Sequence, residues 1–190
     1  IRDTIDEKII KELRYLSKSN IKWWHINSYR LGVYSDVLTR YPVTFPSLKV
    51  IENNGSYMSD EERNDIAKRY NCTVVDNYGC REVWTIAFGC KENYMHVNEG
   101  NILFEIIDDS GNEITETDIT GNVVVTSLSQ YAMPYIRYST GDLAQYVEGN
   151  CPCGNCSRRI RIIPGRDYII GTNIYGNIHF RSVIRSVLCK

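Results

Sequence analysis

Two kinds of reactive side chain crowd into one stretch of this chain of 190 residues, Pro134 to Cys156. Ser139-Thr140-Gly141-Asp142 ends an apolar–aromatic strand pattern with hydroxyls and one carboxylate. A carboxylate after a glycine turn can accept two hydrogen bonds from vicinal hydroxyls, as a ribose offers. On spacing alone, an ordinary turn is the commoner use of such residues. Cys151, Cys153 and Cys156 follow a Gly-Asn turn. A tetrahedral metal site draws its four N/S ligands from two such local groups, and C-x2-C spacing favours Cys153 with Cys156. Upstream stands Tyr78-Gly79-Cys80-Arg81-Glu82. The tyrosine face can stack on a base, the glycine admits close backbone approach, and Glu82 can hold Mg2+ through oxygen. The plainer alternative is a strand-to-helix loop with a solvated Arg81/Glu82 pair.

These residues need elements to position them. Ile5, Ile9, Leu13 and Leu16 fall on one face, so residues 4–18 are expected to form an amphipathic helix. Tyr29 to Leu38 is a weaker helix candidate. Leu48 to Glu52 reads as a buried strand. Ser59 with Glu62 has capping-box spacing and opens a helix through about Arg69. Cys72 to Asp76 reads as a second buried strand. Strand, helix, strand implies a parallel βαβ unit. Asp76-Asn77-Tyr78-Gly79 would then be a loop at a strand's carboxyl end, where open α/β sheets bind ligands. From Trp84 the pattern becomes β-rich. Ile102–Ile107, Val123–Ser127, Tyr135–Tyr138 and Ala144–Val147 are expected as short strands. Asp109-Ser110-Gly111-Asn112 and Thr120-Gly121-Asn122 are expected as turns. Arg158 to Ile163 alternates, and Pro164-Gly165 is expected to break it. Val183 to Leu188 reads as a helix.

Composition is globular: 43% hydrophobic, 24% charged, with a formal net charge of −1. Nothing in that balance points to nucleic acid or to a membrane surface. No apolar run is long enough to span a bilayer, and no signal peptide is visible. Seven clustered cysteines fit a metal in a reducing compartment, the cytoplasm, better than a disulfide framework. Neither end carries a terminus signal, so a piece of a longer protein is expected. Cys72 is expected in the core, Cys189 near a frayed end and Cys80 in packing. Trp23-Trp24-His25 is expected to pack, and His179 to sit at a solvent-facing or helix-start position.

Taken in order, Asn54-Gly55-Ser56, Asp76 to Glu82, Gly121 to Thr126, Met133 to Asp142 and Gly165-Arg166 resemble the adenylate-forming enzymes. The resemblance is to the phenylacetate–CoA ligase group and its CapK-like (capsular polysaccharide, coenzyme F390 synthetase-like) relatives, over roughly residues 48–188. It implies an α/β fold. Residues 1–164 would be part of the large AMP-binding domain, with a βαβ unit at 48–82 and a β-rich, zinc-bearing sheet or barrel at 84–164. Residues 165–190 would be the hinge and the start of the small C-terminal α+β domain. The implied reaction joins a carboxylic acid, aromatic by family default, to AMP using ATP and Mg2+. The acyl group then passes to the thiol of CoA.

The roles the resemblance implies are specific. Tyr78 would stack on adenine. Gly55, Ser56, Asp76, Asn77, Gly79 and Cys80 would line the adenine and acyl pocket. Glu82 would bind Mg2+ at the phosphates, with Arg81 beside it as a phosphate ligand. Asp142 would hold the ribose hydroxyls, and Arg166 would approach ribose or phosphate. For zinc the resemblance selects Cys90, His96, Cys151 and Cys153, leaving Cys156 extra. Arg81 stands where the family has Thr or Ser, Ser56 where Glu is common, and Ser139 where Arg is common. Asp167-Tyr168-Ile169 replaces the paired acidic hinge. The phosphate loop would lie upstream of Ile1 and the catalytic lysine beyond Lys190, so the 190 residues alone are not expected to complete adenylation. Two other readings stand beside the ligase: a zinc-stabilised scaffold without chemistry, and an adenylating enzyme with an acceptor other than CoA.

Overall fold

The computed structural model describes residues 2–55, 57–166, 169–173 and 176–179, with side chains described for 5–55 and 57–164. The chain divides into two compact units, Ile1–Gly79 with Phe88–Asn93, and Cys80–Ala87 with Tyr94–Lys190.

The first unit is built from alternating helices and parallel strands. Helix α1 (Arg2–Lys18) opens it. Its buried stripe is Asp6, Ile10 and Leu13, while Ile5 is half exposed. Ile9 and Leu16 of the expected stripe pack partly buried against the core beside Leu13, and Asp6 receives the Arg40 guanidinium at 2.7 Å. Strand β1 (Trp23–Ile26) has no counterpart in the sequence reading, which took these residues only as packing. It is too short for alternation to show. Helix α2 (Ser28–Arg40) starts where the Asn27 side chain accepts the Arg30 N–H at 2.8 Å. Strand β2 (Val50–Asn54) follows. Helix α3 (Asp60–Tyr70) carries the expected capping box, with Ser59 and Glu62 bonding reciprocally. Asn71 then ends it in the left-handed conformation.

Strand β3 (Thr73–Cys80) runs further than expected. Asp76 to Gly79 is strand, not loop, because β2 offers Asn53 and Asn54 as parallel partners to Asp76 and Asn77. The order is β1-β2-β3, with Trp24 level with Ile51 and Ile51 with Val74. The core lies beneath one face, where Leu13, Leu31, Val37, Leu48, Ile51 and Val74 are buried. Trp24, Tyr34, Phe45 and Tyr70 add a ring cluster with centroids 5.4 to 6.1 Å apart.

The second unit is a mostly antiparallel sheet. Its strands are β4 (Trp84–Gly89, of which 84–87 belong here), β5 (Met95–Val97), β6 (Ile102–Ile107), β7 (Gly121–Ser127), β8 (Tyr138–Val147) and β9 (Arg159–Arg166). They lie in the order β4-β5-β9-β8-β7-β6. Three expectations change. Tyr138 and Ala144 belong to one strand, so Ser139 to Asp142 is no turn but an irregular stretch of β8, with Gly141 at φ +75°. Pro164-Gly165 does not end β9. Leu143 pairs with Ile163 and Asp142 with Arg166, so the Pro-Gly pair bulges out, where a missing N–H costs no ladder bond. Gly121 opens β7 instead of forming a turn, and a Cβ there would stand 2.6 Å from the Ile107 carbonyl oxygen and Ile106 Cγ2. The Asp108–Asn112 turn forms as expected, with the Asp108 carboxylate accepting the N–H groups of Ser110 and Asn112.

Strands β10 (Ile169–Asn173) and β11 (Gly176–His179) pair as a separate antiparallel hairpin. His179 is therefore a strand residue, not a helix start. Ser56, Asp167, Tyr168 and the expected helix at 183–188 lie outside the described residues. Among the described residues no helix is long and apolar enough to cross a membrane.

Candidate functional site

At the carboxyl end of the first unit's strands, Gly55 adopts φ +77° directly after β2. It lines an open cavity of about 410 Å3 together with Trp24, His25, Asn27, Arg30 and Asn54. The Asp76 side chain points toward α3. Its carboxylate receives Asn53 Nδ2 at 2.7 Å and the buried Arg63 guanidinium. Asn77 donates to Glu52 at 2.5 Å. Gly89 lies so close to the Asp76 backbone that a Cβ would stand 2.8 Å from its nitrogen, which keeps that strand end tight. Neither Arg63 nor Glu52 was singled out by spacing. Both act across elements, through contacts no local pattern displays.

The second unit carries the other half of the expected residues. Cys80, Arg81 and Glu82 form the end of β3 and the turn into β4. Trp84 follows at φ +64°, an unusual conformation for a bulky side chain. Burial, foremost, raises the Cys80 thiol, and the nearby Glu82 carboxylate raises it further. A thiol held protonated is a packing group, not an activated nucleophile. Burial also raises the Tyr138 hydroxyl, again with Glu82 beside it. Glu82 thus sits next to the start of β8. Further along β8, Thr140 Oγ1 accepts the Asp142 N–H at 3.1 Å and fixes the irregular stretch. Asp142 is the register partner of Arg166. The backbone thereby places side by side two residues far apart in sequence.

The cysteines assemble as well. The ligand atoms of Cys90, His96, Cys151 and Cys153 all lie within 4.8 Å of one another. His96, on β5, is fully buried. Its Nδ1 faces the Ser157 carbonyl at 3.3 Å, which turns Nε2 toward Cys153 Sγ at 3.5 Å. That separation matches the edge of a tetrahedron with Zn–S and Zn–N bonds of roughly 2.3 and 2.0 Å. The Asn155 N–H points at Cys153 Sγ at 3.4 Å. A Cys151–Gly154 backbone turn shapes the loop. Cys156 is exposed and bonds to the Gly154 carbonyl instead. The donor set and its spacing fit a thiophilic divalent ion with all four positions filled by protein. Arg158 fastens the loop to Glu99 at 2.7 Å, and Arg159 stacks 4.3 Å from the Tyr94 ring centre.

Known proteins resemble this chain in sequence and in fold. The phenylacetate-coenzyme A ligase of Pseudomonas putida is 34% identical over 125 residues, 62% of this chain and 28% of that protein. The Thermus thermophilus enzyme of the same name is 39% identical over 85 residues, 42% of this chain and 19% of that protein. The chain resembles these acid–CoA ligases in sequence over part of its length. No family model matches it. A 2-hydroxyisobutyryl-CoA ligase, solved with its acyl-AMP and CoA, shares the fold at a TM-score of 0.78 and 18% identity, covering 96% of this chain and 44% of that one. The amide bond synthetase McbA of Marinactinospora thermotolerans shares it at 0.64 and 16% identity, over 92% of this chain and 37% of that one. The chain thus spans less than a third of the length of the curated relatives it matches.

Proposed function

We propose that this chain is the ribose-binding and metal-stapled part of an ATP-dependent carboxylic acid ligase that makes an acyl-adenylate and then an acyl-CoA thioester. The observation that carries the reading is the pairing of Asp142 with Arg166 across β8 and β9. In this reading Asp142 accepts two ribose hydroxyls, and Arg166 is the residue that meets ribose or phosphate. Tyr78 stacks on adenine, Gly55, Ser56, Asp76, Asn77, Gly79 and Cys80 line the pocket, and Arg81 meets phosphate charge. Glu82 supplies the oxygen that would hold Mg2+, whose chemistry is to neutralise the phosphates. The acid is aromatic, as the names of the curated relatives suggest. Work in the cytoplasm is the reading of the clustered cysteines, and a part in capsular polysaccharide synthesis that of the CapK resemblance.

Cys90, His96, Cys151 and Cys153 would hold a structural Zn2+. A closed four-ligand site has no open position for substrate, so its work is to staple the loop before β9. That strand ends at Arg166. In the full-length protein, ATP is expected to raise the melting temperature, and Asp142→Ala to remove that rise. An undiminished rise in Asp142→Ala would sink the ribose assignment.

A further inference from the structure

His25 and Glu52 form a second titratable cluster that the roles above leave unused. His25 lies on β1 and lines the cavity that Gly55 also lines. The Glu52 carboxylate, on β2, stands 3.5 Å from His25 Nδ1. It is itself fixed by Trp23 Nε1 at 2.8 Å and Asn77 Nδ2 at 2.5 Å. On the other side of the ring, the Asn54 amide nitrogen is 2.7 Å from His25 Nε2. A carboxylate opposite one nitrogen and an N–H donor opposite the other set the tautomer. The proton sits on Nδ1, and the Nε2 lone pair is the basic one. The other charged groups lining the cavity cancel, since Arg30 on α2 pairs with Glu12 on α1 at 3.1 Å, and Tyr34 donates to Glu12 at 2.7 Å. His25 is therefore the imidazole that the cavity presents beside this neutralised pair.

We propose that His25, oriented by Glu52, is the general base for acyl transfer, taking the proton of the acceptor thiol. The proposal rests on the ligase reading above. As the thiol approaches, it displaces the Asn54 amide and gives its proton to Nε2. Its sulfur forms the bond to the acyl carbon, and the bond from that carbon to the phosphate oxygen breaks. AMP leaves with the electron pair. The imidazolium is stabilised by Glu52 and later releases its proton to water. Glu52 is a positioning residue, and His25 touches the reacting proton.

The test uses the full-length protein with ATP and its acid, and two acceptors in parallel. Hydroxylamine traps the acyl-adenylate without needing a base, because it is already unprotonated at neutral pH. CoA presents a thiol that must lose its proton. His25→Gln is expected to slow thioester formation at least about thirtyfold more than hydroxamate formation. Glu52→Gln is expected to move the acid limb of the thioester rate to lower pH, since the imidazolium loses its carboxylate. If His25→Gln misfolds, His25→Asn takes its place. An unchanged ratio of the two rates overturns the base assignment while leaving the ligase reading intact. A wild-type protein that makes no hydroxamate overturns the ligase reading, and the base assignment with it.

Discussion

Asp142 shows how a side chain gains meaning from a partner that the sequence holds far away. In the sequence it belongs to a plausible turn; in the sheet it stands opposite Arg166. The thiols divide in the same way by surroundings. Burial lifts Cys72 to about 11, and Cys80 is raised as well. A raised pKa means less thiolate at a given pH, so at pH 8 about one Cys72 in a thousand is reactive. Iodoacetamide at pH 8 is therefore expected to label exposed Cys156 first, with Cys72 and Cys80 lagging by at least tenfold, as read by peptide mass spectrometry. Fast labelling of Cys80 would make it a nucleophile candidate after all. Cys151→Ser is expected to leave under about half an equivalent of zinc by metal analysis after gentle purification, against one for the native chain. Equal zinc in both would exclude Cys151 from the ligands.

Elements differed in how openly the sequence displayed them. The capping box at Ser59 and Glu62 was legible because both halves of the motif are local. Ser59→Ala is expected to cost about 1 kcal/mol in urea unfolding. A change within error would mean that the box contributes nothing. The βαβ unit was legible from strand–helix–strand order, and the Asp108–Asn112 turn from its residue types. Strand β1 was not, since four residues with two tryptophans carry no period. The strand nature of Ser139–Asp142 was hidden too. Gly141 and Pro164-Gly165 look like strand breakers, yet β8 runs on through an irregularity against β7 around Gly141, and β9 runs on through a bulge at Pro164-Gly165. Gly121 is the sharpest case of packing that spacing cannot show. Gly121→Ala is expected to destabilise by about 1–3 kcal/mol, because a Cβ has no room against Ile106 and Ile107. A neutral substitution would mean that this sheet edge relaxes freely.

At the scale of the molecule, each unit carries its own set of candidate residues. The parallel unit brings the Gly55 cavity and the Asp76–Gly79 strand end. The antiparallel unit brings Glu82, Tyr138 and the Asp142–Arg166 pair. The candidate site residues were proposed from a family resemblance far more than from their chemistry, whereas Arg63, Glu52 and the β8–β9 register act only through the folded chain. The metal quartet needed both: spacing alone favoured Cys156, and the fold left it outside. The central claim is that these residues serve adenylation, and acid-dependent exchange of pyrophosphate into ATP by the full-length protein tests it most directly. The account predicts exchange that needs a carboxylic acid and Mg2+, falls at least about a hundredfold in Asp142→Ala, and is absent from the 190-residue chain alone. Exchange that is undetectable in the zinc-loaded wild type, or undiminished in Asp142→Ala, would contradict it.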